Sequence, residues 1–135
     1  MRISFPLLKI SDDNWNEMDD HGMLFLFQKF YFSKDKELFK KFYLDKEFVD
    51  KNGTIFKITG LSELIFWFYG LLSLLPMIPK YEFVFKNTGK SIDVIELKSF
   101  LTNKIKNIPD YGFNEKWISE ILKCKTIEEI LKIEI

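Results

Sequence analysis

Cysteine, histidine and arginine occur once each in this chain, as Cys124, His21 and Arg2, and alanine does not occur at all. A single thiol excludes an internal disulfide and any zinc site built on several thiolates. A single imidazole excludes most histidine-based metal sites, and any Ser-His or Cys-His pairing would have to use His21. His21 stands between Asp20 and Gly22, where it reads as a loop histidine, solvated or hydrogen-bonded to a neighbouring carboxylate. With one arginine, the bidentate clamps that hold phosphates and carboxylates have almost no raw material. The six glycines are scattered and form neither GxGxxG nor the P-loop pattern, so no phosphate-cradling loop is expected. Cys124 reads as a small hydrophobe on a helix. No catalytic, cofactor or metal residues are assigned, and the chain is not expected to be an enzyme.

Long apolar runs are also lacking. Leu64 to Leu75 holds twelve uncharged residues between Glu63 and Pro76, against the roughly 20 that a spanning helix needs. The whole stretch Leu61 to Leu75, LSELIFWFYGLLSLL, is expected to be a buried core helix. Ser62 would cap it, Glu63 would meet its positive end, and Pro76 would stop it. The N-terminal MRISFPLLKIS does not read as a signal peptide, because Pro6 and Lys9 break its apolar run. No membrane association is expected, and a cytoplasmic location is.

What the chain has in quantity is phenylalanine, fifteen of 135 residues, and charge in balance, twenty basic against twenty acidic side chains. At about 1.5–3 kcal/mol for each large apolar side chain fully buried, aromatic burial is expected to dominate stability. Zero net charge argues against a phosphate backbone as the main partner. Lysines do lie beside aromatics from Gln28 to Phe42, as in single-strand binders, but these aromatics recur at core spacing. No nucleic-acid partner is expected.

In chain order, Ile3 to Ile10 reads as a strand, with Pro6 pointing to an edge or a bulge. Met23 to Phe32 suits a strand or a helix, and its aromatic content favours the strand. Ser33 is the expected cap of a helix from Lys34 to about Tyr43. Glu47 to Asp50 and Thr54 to Thr59 form a hairpin whose Asn52 and Gly53 can take positive φ. Tyr81 to Lys86 reads as a strand ended by a turn at Asn87 to Lys90. Ser91 is the expected cap of a helix from Ile92 to about Lys106, with a short strand possible first. Asn114 opens another helix, and Thr126 with Glu129 forms a capping box for the last, in which Glu128 pairs with Lys132. The whole, residues 1–135, is expected to be one α+β domain, a small, mainly antiparallel sheet covered by four to five helices.

Ser11 to Gly22 carries five acids and no base. Asp12, Asn14 and Asn16 match the first ligand positions of an EF-hand loop, but Glu17 replaces its glycine and Met23 its closing glutamate, so no calcium site is expected. Asp12, Asp13, Glu17, Asp19 and Asp20 around Trp15 suit docking to a basic protein surface, since charge speeds encounter and a tryptophan can anchor the contact. A solvated loop with Trp15 turned into the core fits the same residues.

The hairpin DKNGTIFKI, Asp50 to Ile58, together with this acidic segment and a lysine-, isoleucine- and asparagine-rich composition typical of AT-rich bacterial coding, resembles the immunity proteins of bacterial polymorphic and contact-dependent growth inhibition toxins. The resemblance spans the chain's size and layout rather than a residue motif. It implies a cytoplasmic protein that neutralises a cognate toxin, often a nuclease, by covering its active site without turnover, its carboxylates standing in for phosphates. The alternative is a non-catalytic adaptor or regulatory subunit that binds through an apolar surface.

Overall fold

A computed structural model of the chain describes residues 2–11, 24–64, 81–107 and 114–133. Six strands, β1 (Leu7–Lys9), β2 (Phe25–Leu26), β3 (Phe30–Tyr31), β4 (Glu47–Val49), β5 (Thr54–Glu63) and β6 (Tyr81–Ser91), form one sheet in the order β2-β1-β4-β5-β6-β3. Every pairing is antiparallel. Four helices accompany it among the described residues: α1 (Lys36–Phe42), α2 (Val94–Lys106), α3 (Asn114–Lys123) and α4 (Ile127–Leu131).

The stretch read as one strand, Met23 to Phe32, supplies both edges of this sheet. From Leu26 to Phe30 the chain makes four Cα steps and can span at most roughly 14 Å. Opposite edges of a flat six-stranded sheet would stand about 24 Å apart. The sheet must therefore curl, and it does so into an antiparallel half-barrel. This corrects the expectation of a small sheet covered by four to five helices: the fold is α+β, but the sheet wraps towards itself and only four short helices are described.

The expected central helix is corrected at its start. Leu61, Ser62 and Glu63 belong to β5, paired with Phe83, Glu82 and Tyr81 of β6. A residue locked into a ladder cannot also cap or open a helix. The rest of that stretch, from Ile65 onwards, lies outside the described residues.

Successive strand residues point to opposite faces, so each inner strand feeds two cores. Leu7, Phe48 and Ile58 join an aromatic cluster with Tyr31, Phe39 and Phe83. Leu8, Val49 and Ile55 join the cluster built by the C-terminal helices. There α2 contributes Leu97, Leu101 and Ile105, spaced by four, while α3 contributes Trp117 and Ile121. Each such side chain contributes about 1.5–3 kcal/mol when fully buried. Helix α1 spans the two clusters, with Phe39 in the aromatic one and Phe42 in the other. Lys9 is fully buried and its ammonium donates to the Phe42 carbonyl at the end of α1, where a cation complements the helix dipole.

The β4–β5 hairpin stands as its residues dictate. Asp50 Oδ1 accepts from the backbone N–H of Asn52 at 2.9 Å and of Thr54 at 3.0 Å, and Gly53 sits at φ 82°. A Cβ there would lie 2.2 Å from the Ile92 carbonyl oxygen. The expected turn at Asn87 to Lys90 is instead strand: β6 runs on to Ser91, and the register jumps from Phe56 opposite Asn87 to Thr54 opposite Ser91. Gly89 at φ 77° and the bond from Thr88 Oγ1 to the Ile55 carbonyl, 2.8 Å, make this a bulge.

Capping shifts by two residues in two helices. Asp35 caps α1, accepting from Glu37 and Leu38, while Ser33 Oγ accepts from the Asp35 N–H. Asp93 caps α2, accepting from Glu96 at 2.8 Å, because Ser91 ends β6. Thr126 caps α4 as expected, and Lys132 meets Glu128 at 3.2 Å.

Candidate partner-binding surface

The acidic segment singled out above, Asp12, Asp13, Trp15, Glu17, Asp19 and Asp20, lies outside the described residues, as does His21. The residues on either side of it are held firmly. Ser11 Oγ accepts from the Glu47 N–H at 2.6 Å, and the Lys9 N–H donates to the Leu24 carbonyl at 2.9 Å.

Residues 2–6 border two surface hollows. Ile3 and Phe5 pack on the aromatic cluster, and Phe5 meets Phe85 edge-on with ring centroids 6.2 Å apart. On one side of this segment opens a hollow of about 390 Å³ walled by Phe5, Phe83 and Phe85, with Arg2 and Lys29 at its rim. On the other side is a hollow of about 340 Å³ that shares Arg2, Ile3 and Phe5 with the first and adds Ser4, Lys51 and Lys132. A third, about 470 Å³, shares Leu131 and Lys132 with the second and is walled by Phe25, Phe27 and Ile133. Arg2, Ile3 and Phe5 border both the first and the second hollow, and Leu131 and Lys132 both the second and the third; the second is the most cationic, with Arg2, Lys51 and Lys132 beside Glu128.

The geometry follows from local chemistry. Phe25 and Phe27 alternate along a strand and its exit, so they fall on one side, stacked with centroids 6.0 Å apart. Phe27 sits in the short β2–β3 link and is 72% exposed. The carboxylates lining the first two hollows are each paired: Glu82 lies 3.3 Å from Lys29, and Glu128 3.2 Å from Lys132. The hydrogen bond and charge of Lys132, aided by Lys51, hold the Glu128 carboxyl below its ordinary range. The second hollow thus carries three cations, Arg2, Lys51 and Lys132, against one carboxylate, Glu128.

Other chemistry-bearing groups are structural. Cys124 is buried in the helical cluster, its Sγ donates to the Glu120 carbonyl at 3.2 Å, and burial, then Glu129, pushes its thiol up. Such a thiol stays protonated and unreactive at neutral pH. Tyr43 is pushed up to about 12, first by burial and then by Tyr31. Tyr31, Phe39 and Phe42, from the lysine-flanked aromatic stretch, are all buried. No group of three or more His, Cys, Asp or Glu able to hold a metal exists among the described residues, and no helix there is long and apolar enough to cross a membrane.

The second hollow joins Arg2 with Lys51 and Lys132, far apart in the chain, and in the sequence only the rarity of arginine sets any of them apart. Comparison with protein-family models, curated proteins and solved structures gave no match.

Proposed function

We propose that this chain is a protein-binding module, and specifically an immunity protein that neutralises a cognate bacterial toxin by occluding its active site. The observation that carries the binding reading is Phe27, 72% exposed at the hollow it lines with Phe25, Leu131 and Ile133, since an exposed aromatic beside an apolar hollow is the material of an interface anchor. The narrower reading is supported by sequence: five carboxylates around Trp15, from Asp12 to Asp20, mimic the phosphates that a nuclease toxin grips. Binding without turnover is the expected mode.

The test pairs the purified chain with the product of the neighbouring open reading frame. Tight binding by titration calorimetry, together with protection of cells expressing that product, is the expected result. Absence of both removes the immunity reading. Retained affinity after Asp12, Asp13, Asp19 and Asp20 are changed to Asn removes the acidic segment alone. A second reading, a non-catalytic adaptor binding through an apolar surface, is favoured by Phe25 and Phe27, stacked at the wall of the third hollow. Salt separates the two, because an electrostatic interface loses association rate at high ionic strength and an apolar one hardly does.

A further inference from the structure

We propose that the first hollow, beside Phe5, is a binding site for a small aromatic carboxylate, its ring held between phenylalanine walls and its head by Arg2. This goes beyond the immunity reading, which concerns a protein partner, and it uses neither the acidic segment nor Phe27. Composition is the first support. Ligand pockets are mostly apolar with a few convergent polar groups and enclose about 300–1,000 Å³. This one encloses about 390 Å³, with Ile3, Phe5, Phe83 and Phe85 as walls and Arg2, Lys29 and Glu82 as the charged groups. An enclosed space of about 150 Å³ is enough for a benzene ring, so a ring with a short acidic arm fits.

The second support is charge. Glu82 is paired with Lys29 at 3.3 Å, so the two offset each other. Arg2, the only arginine in the chain, has no ion-pair partner among the described residues. A guanidinium without a partner presents a planar fork that matches a carboxylate through two parallel hydrogen bonds. The third is ring geometry. Phe5 and Phe83 each stand 6.2 Å from Phe85, at 67° and 58° to it. Aromatic rings prefer such tilted and edge-on contacts at about 4.5–7 Å, and Phe85 is only part-buried, so a flat ligand ring extends the cluster in the same manner. An aliphatic chain gains no ring contact and loses rotamer freedom on binding. The second hollow is a poorer site for such a ligand, because its walls are largely polar and Lys51 and Lys132 already act on Glu128.

The test is an amide NMR titration of the full chain with phenylacetate, run beside phenylacetamide, hexanoate and inorganic phosphate. Saturable shifts should appear at Ile3, Phe5, Lys29, Phe83 and Phe85 with phenylacetate, and the neutral amide and hexanoate should bind more weakly. Arg2→Gln should lower affinity roughly two- to fivefold, the range for an exposed ion pair. Phe85→Leu should lower it about two- to tenfold, the range for a ring–ring contact. Arg2 is exposed, so its variant stays folded even if Phe85→Leu does not. Lys51 borders the second hollow and not the first, so Lys51→Gln should leave affinity unchanged. The advantage of the acid over its amide should vanish as salt rises from about 0.1 M to about 1 M and the screening length falls from about 10 Å to about 3 Å. Equal binding of acid and amide overturns the proposal, as does hexanoate binding as tightly as phenylacetate. Displacement by inorganic phosphate at equal concentration, shifts centred on Phe25 and Phe27, or no saturable shift at millimolar phenylacetate overturns it too. A failed immunity test leaves this site standing, since none of its residues lies between Asp12 and Asp20.

Discussion

The two faces of the curled sheet are covered in different ways. On one, α2, α3 and α4 lay aliphatic side chains over Leu8, Val49 and Ile55, and Leu97, Ile105 and Ile121 are wholly buried. On the other, the aromatic cluster is roofed by Phe39 of α1 and by Ile3 and Phe5 from an irregular segment. Three helices with regularly spaced leucines and isoleucines can close a surface completely, since branched aliphatic chains interdigitate at close packing. On the aromatic side the part-buried rings of Phe5 and Phe85 border one hollow with Phe83, and the two other hollows open beside Leu131 and Lys132 at the end of the helical side. Among the described residues the aliphatic helical core therefore carries the larger share of the stability.

That contrast can be broken by mutation. The largest expected effect is Leu101→Ala under the helices, which should cost about 2–5 kcal/mol in urea unfolding. Phe5→Ala on the other side should cost roughly 1.5–2.5 kcal/mol, about half the fully buried range, because Phe5 is only part-buried. Equal costs would erase the distinction.

Tyr43 packs against both clusters and sharpens the comparison through pH. Burial pushes its phenol up to about 12, from an ordinary value of 10.0. The folded state thus holds the phenolic proton more tightly than the unfolded chain, giving stability that is complete below pH 10.0 and lost as pH rises towards about 12. In Tyr43→Phe the alkaline part of the unfolding profile should flatten. An unchanged profile would show that the ring is not desolvated.

Smaller still are the caps. Asp35→Ala at α1 and Asp93→Ala at α2 should each cost about 1 kcal/mol. Hydrogen exchange should place the first loss at α1 and the second within the helical cluster. The smallest effect on stability belongs to Phe27→Ser, within about 0.5 kcal/mol because the ring is mostly exposed. Its effect should fall on partner affinity, and a large drop in melting temperature would show instead that the ring is part of the fold.

How far these features can be read from the chain depends on how local their cause is. The β4–β5 hairpin is written in Asp50, Asn52 and Gly53, which satisfy one another within a few residues. The α4 cap is likewise contained in Thr126 and Glu129. Met23 to Phe32 has the composition of one strand, yet Phe27 to Lys29 carries the chain from one sheet edge to the other, a choice made by where β1 and β6 lie. Asn87 to Lys90 has turn residues, but pairing with β5 on both sides converts them into a bulge. Leu61 to Glu63 begins an apolar run with helical spacing and is claimed by β6 instead. The acidic candidates at Asp12 to Asp20 belong to the sequence alone, and the hollows beside residues 2–6 and Phe27 to the structure.

Composition and short-range chemistry alone determined an α+β chain without disulfides, with a hairpin at Gly53 and a capped C-terminal helix, because those depend on neighbours a few residues apart. The half-barrel and the hollow that brings Arg2 together with Lys51 and Lys132 were decided only by tertiary pairing, because backbone hydrogen bonds and buried area between distant segments outweigh local preferences of a few tenths to about 1 kcal/mol per residue.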